Sequence, residues 1–98
     1  MPATDHAPDF AEKAKLFGDK VRSRRAELGL SERALAEKAG ISRGRVSLLL
    51  KDRGSHKGKD GKYPLSNPTL DTIWKLADAL EVDPMYLVDS NRPVEPMR

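Results

Sequence analysis

Residues 32–51 read ERALAEKAGISRGRVSLLLK. Two short helices are expected here, Glu32 to Ala39 and roughly Arg43 to Lys51. Ser31 and Ser42 precede them as N-caps, residues whose hydroxyl can accept from the unpaired amides of a first turn. Two helices joined this closely need a small residue where their backbones approach, and Ala36 supplies it. The turn needs a residue at ease with positive φ, and Gly40 sits four positions later. Leu35, Ala39, Ile41, Val46 and Leu49 fall where both helices would anchor to a larger body. Each feature is common alone. In combination they have the spacing of a helix-turn-helix rather than of a generic helical bundle.

Outward from this segment, the apolar spacing of Phe10, Ala14, Phe17, Val21 and Leu28 predicts a first helix, capped by Asp9 and ended by Gly29. After Lys51 comes DRGSHKGKDGKYPLS, residues 52–66, which reads as a long, flexible, basic loop. Thr69 then caps a fourth helix whose buried face is expected to hold Leu70, Ile73, Leu76, Ala77 and Leu80. Asp83 and Pro84, as cap and first-turn proline, start a short fifth helix through Leu87. Residues 1–8 and 89–98 contain prolines and no periodicity, and are expected to be a disordered arm and tail. The fold class is therefore all-α, four to five short helices in one domain over residues 9–88.

Composition narrows the function. The chain has 98 residues, 38% hydrophobic and 34% charged, and no cysteine, so disulfide and thiolate chemistry are excluded. No apolar run approaches the roughly 20 residues of a membrane span, and no secretory signal is visible; a cytoplasmic location is expected. The net charge is only +3, but residues 1–65 carry fifteen Lys/Arg against nine Asp/Glu, and residues 66–98 carry three against six. Such asymmetry fits either a polyanion partner on the basic side or a solvated charged surface. The stretch Gly54 to Asp60 has neither the length nor the flanking elements of a phosphate-binding loop. His6 and His56 lack paired ligand spacing. No metal, cofactor or catalytic set is expected, and no enzyme.

The runs KVRSRRAELGLSERALAEKAGIS (residues 20–42) and NPTLDTIWKLADALEVDPMYL (residues 67–87) resemble the first two and the last two helices of the Cro/repressor family of regulators, the XRE-type class. The resemblance covers about residues 16–88. It implies a lambda-repressor-like domain whose second helix lies across the DNA backbone and whose third enters the major groove of double-stranded DNA. The function implied is a sequence-specific transcriptional regulator, a nucleoid-associated repressor that binds a pseudo-palindromic operator as a homodimer. An antitoxin-type module that also binds a partner protein through loop 52–66, and a non-specific architectural DNA binder, are the alternatives. No effector domain is expected, so control would come from concentration, a partner or proteolysis.

Within this frame, helical geometry places Val46 and Leu49 inward and Arg43, Gly44, Ser47, Leu48 and Lys51 roughly opposite. Arg43 is expected to pair with a guanine, Ser47 to bond either base type and Leu48 to meet a thymine methyl, while Gly44 lets the helix sit deep. Ser42, Arg45 and Lys51 are expected at phosphates, joined by Arg53, Lys57, Lys59 and Lys62 from the loop, unless that loop is merely solvated. Trp74, Met85 and Tyr86 are the expected dimer interface, because the family commonly pairs through its last helices; ordinary core packing is their alternative. Three departures stand out. Glu32 replaces a common glutamine whose phosphate contact a carboxylate would not make. Leu50 replaces a common glutamate that pairs with an arginine at the place of Arg25, leaving Arg25 for a phosphate or another acid. The loop after Lys51 is about a dozen residues longer than usual.

Overall fold

The computed structural model describes residues 9–51 and 67–96. Five helices follow one another: α1 (Phe10–Glu27), α2 (Glu32–Ala39), α3 (Arg43–Leu50), α4 (Leu70–Leu80) and α5 (Pro84–Val88). No strand occurs among the described residues. The expected arm 1–8 and loop 52–66 lie outside them, as do residues 97–98.

Four of the five helices begin as their sequences dictate. Ser31, Ser42, Thr69 and Asp83 each accept a hydrogen bond from a first-turn backbone amide, those of Ala34, Arg45, Thr72 and Met85. Asp9 does not. It sits in the left-handed region at φ 63° and its side chain makes no capping bond, so α1 starts where expected but without the expected cap. Gly40 closes α2 at φ 72°, a conformation that leaves its amide free to bond the Ala36 carbonyl at 2.9 Å. The Ile41 amide reaches that same carbonyl at 3.1 Å, and the chain is thereby turned directly into α3.

The core gathers one stripe from every helix: Phe17 and Val21 of α1, Leu35, Ala36 and Ala39 of α2, Val46 and Leu49 of α3, Leu76, Ala77, Ala79 and Leu80 of α4, and Tyr86 and Leu87 of α5. Val21, Leu35, Val46, Leu76 and Leu80 are wholly out of water, and each such side chain contributes about 1.5–3 kcal/mol of burial. Leu70 breaks the expected pattern. It is 68% exposed, although Thr72 in the same turn is buried.

α1 packs against α3, α4 and α5, and its basic residues explain how. The C-terminal carbonyls of a helix have no intrahelical partner, and a cation there also complements the helix dipole. The Lys20 ammonium, fully buried, donates to the carbonyls of Tyr86 and Asp89 at 2.7 Å each and lies 4.5 Å from the Tyr86 ring centroid. Burial holds this amine below its ordinary pKa, against the opposing pull of Asp89. Arg24 Nε donates to the Leu80 carbonyl at 2.9 Å, Arg22 Nη2 to Leu50 at 2.8 Å and Arg25 Nη1 to Leu30 at 2.7 Å. Among the described residues, Arg25 is thus bonded to a loop carbonyl rather than to an acid.

The segment after α5, expected as a disordered tail, is described as far as residue 96 and lies against Tyr86. Arg92 pairs with Glu95 at 2.9 Å and stands 4.9 Å from the Tyr86 ring centroid, while the Glu95 amide donates to the Tyr86 hydroxyl at 2.9 Å. A tyrosine anchored at both its carbonyl and its hydroxyl gives the segment after Asp89 something to fold against.

Candidate nucleic-acid interface

α3 is held by its buried side, Val46 and Leu49, so with about 100° between successive residues, positions 43, 44, 47, 48 and 51 fall roughly opposite. Ser42, Arg43, Gly44, Arg45 and Lys51 are exposed, and Ser47 and Leu48 are partly buried beside them. The structure thus brings together on one surface every α3 residue that the sequence assigns there. The remaining candidates Arg53, Lys57, Lys59 and Lys62, and the partner suggested for their loop, lie outside the described residues.

Gly44 is informative. A Cβ at this position would meet no other atom within 4 Å, and its φ is not of the left-handed kind that glycine alone favours. Among the described residues, nothing requires a glycine at this point of the helix.

Beside the start of α3 lies the start of α4. Gly40, Ile41, Ser42 and Arg45 line one side of a shallow cleft, and Thr69, Asp71, Thr72 and Lys75 line the other. Ser42 Oγ accepts from the Arg45 amide at 3.1 Å, and Thr69 Oγ1 accepts from the Thr72 amide at 3.2 Å. Lys75 is paired with Asp71 at 3.0 Å. The sequence reading missed this neighbour. Its signal was present in the Asn67-Pro68-Thr69 cap, but only the packing of α4 on α2 brings that cap to the turn.

Away from α3, Trp74 and Met85 are 48% and 61% exposed, and Leu70 and Val88 are exposed as well. Leu70 and Trp74 are four apart on α4, and Met85 and Val88 three apart on α5, so each pair shares a helix face. Tyr86 is different. It is buried inside the single chain by the Lys20, Arg92 and Glu95 contacts, and so it leaves the set of interface candidates. No group of acidic, histidine or cysteine residues suited to a metal occurs among the described residues. None of the described helices is long and apolar enough to cross a membrane.

Two closely joined helices, a left-handed glycine at the turn and a second helix with a free polar face define a helix-turn-helix DNA-binding domain. Among solved structures, the chain is similar to the restriction-modification controller protein C.AhdI from Aeromonas hydrophila, at 30% identity and a TM-score of 0.60, over 78% of this chain and 97% of that one. It is also similar to NHTF, a hypothetical transcription factor from Neisseria, at 25% identity and a TM-score of 0.65, over 89% of this chain and 84% of that one. No protein-family model matches the sequence, and no curated protein matches it. The chain belongs to the Cro/repressor-like, XRE-type family of helix-turn-helix transcriptional regulators.

Proposed function

We propose that this regulator is a cytoplasmic, nucleoid-associated repressor that reads a pseudo-palindromic operator as a homodimer, with α3 in the major groove. The observation that carries the reading is the free face of α3, where Arg43, Ser47 and Leu48 surround a glycine that the fold itself does not need. Arg43 pairs with a guanine, Ser47 bonds a base edge, Leu48 packs on a thymine methyl, and Gly44 admits the groove wall. Ser42, Arg45 and Lys51, with Arg53, Lys57, Lys59 and Lys62 beyond the described residues, hold phosphates and set the register. Trp74 and Met85 pair with a second copy, and Leu70 and Val88 are further exposed apolar side chains on the same two helices. The similarity to a restriction-modification controller makes a restriction-modification promoter the first operator to try.

The test is a binding-site selection with the wild type and Arg43→Ala. The variant is expected to lose about 1–3 kcal/mol of specific binding and to relax its preference at one position in each half-site. An unchanged motif bound with unchanged affinity removes Arg43 from the base contacts.

A further inference from the structure

We propose that Arg22, on α1, is a positioning residue for sequence recognition: it fixes the C-terminal end of α3 and thereby the aim of Ser47 and Leu48. The proposal rests on α3 being the reading helix.

α3 spans only eight residues, Arg43–Leu50, about two turns. Its start is fixed twice, by the Ser42 cap and by the turn bonded to the Ala36 carbonyl. Val46 and Leu49 pack in the core, and Leu50, at the far end, is partly buried against it. Apolar packing has no direction, so these contacts set the depth of the helix more tightly than its orientation. Arg22 supplies the direction. Its Nη2 donates to the Leu50 carbonyl at 2.8 Å, across 28 positions of sequence. Its Nη1 donates to Asp19 Oδ1 at 3.2 Å, and Asp19 Oδ2 accepts from Lys15 Nζ at 3.0 Å. A planar guanidinium gripped at two nitrogens has little freedom to turn. The side chain that ends α3 is thus itself held by an acid on its own helix.

Arg22 also keeps 37% of its side chain exposed, so a direct phosphate contact is the competing role. The two roles differ in what they do to preference. A lost phosphate contact weakens binding to all sequences alike, whereas a loosened α3 blurs the distinction between bases.

The experiment measures affinity for the selected operator and for single base-pair variants of it, using the full chain below its unfolding range. Wild type, Arg22→Ala, Asp19→Asn and Arg43→Ala are compared. Arg22→Ala is expected to lower the ratio of operator to base-variant affinity roughly tenfold at the positions that Ser47 and Leu48 meet. Asp19→Asn keeps the Arg22 cation but weakens its ion pair to a neutral hydrogen bond, which loosens the guanidinium, and it removes a negative charge. It is expected to lower the same ratio in the same direction, and because it leaves every helix intact it stands in if Arg22→Ala does not fold. The proposal is overturned if both variants keep the wild-type ratio, whether affinity falls uniformly, as for a phosphate ligand, or does not change. If Arg43→Ala alone alters preference, the reading role of α3 stands and only the role of Arg22 falls. A wild type with no preference among sequences sinks both.

Discussion

At position 44 a methyl side chain would meet no described atom within 4 Å beyond the backbone of its own helix. Replacing a glycine that already has acceptable backbone angles narrows the unfolded ensemble and stabilises by about 0.4–1 kcal/mol. Gly44→Ala should therefore raise the melting temperature while weakening operator binding, measured by thermal unfolding and by titration of the same preparation. A variant that is more stable and binds as tightly would mean that nothing approaches α3 at this point. Other residues were less legible. Tyr86 reads equally well as core or interface, and only the contacts from Lys20, 66 positions away, and from Glu95 place it inside. Leu70 fits the apolar spacing of α4 and is nonetheless exposed, because periodicity marks a face of a helix but not how far its partner extends.

Capping chemistry made the short helices readable. Serine, threonine or aspartate one residue ahead of an apolar stripe is a local signal, and α2, α3, α4 and α5 all start at such a residue. α1 obeys a different rule. Its run of Lys20, Arg22, Arg24 and Arg25 resembles a solvated or DNA-facing surface, yet each of the four donates to a backbone carbonyl outside its own helix. Nothing in the sequence names an acceptor that every residue carries, so these partners become visible only in three dimensions. The tether between α1 and α5 is the most buried of them. Lys20→Met keeps the length of the side chain but strips the donors from the carbonyls of Tyr86 and Asp89. A loss of about 1–3 kcal/mol is expected in urea unfolding, with amide exchange quickening first in α5. The cost is moderated because an ammonium disfavoured by burial is removed as well. Unchanged stability would mean that the tether is incidental to the fold.

Across the whole molecule, the proposed reading face lies on α3, and among the described residues four of the five exposed large apolar side chains, all but Val94, lie on α4 and α5. A dimer through the second surface leaves the first free in both copies, with half-sites about one DNA turn, roughly 10 bp, apart. The double variant Trp74→Glu, Met85→Glu is expected to sediment as a monomer with the melting behaviour of a folded domain, and to lose most of its operator affinity. Retention of a dimer would move the interface elsewhere. The inward-turned cations of α1 bear on a different quantity, the response of binding to ionic strength. That response follows the number of phosphates neutralised, each changing the slope of log K against log salt by about 0.9. Of the eighteen Lys and Arg residues, Lys20 is out of water and Arg24 nearly so. Committed to carbonyls before DNA arrives, these two displace no counterions when it does. The fold is accordingly expected to withstand salt concentrations that weaken the proposed DNA contact.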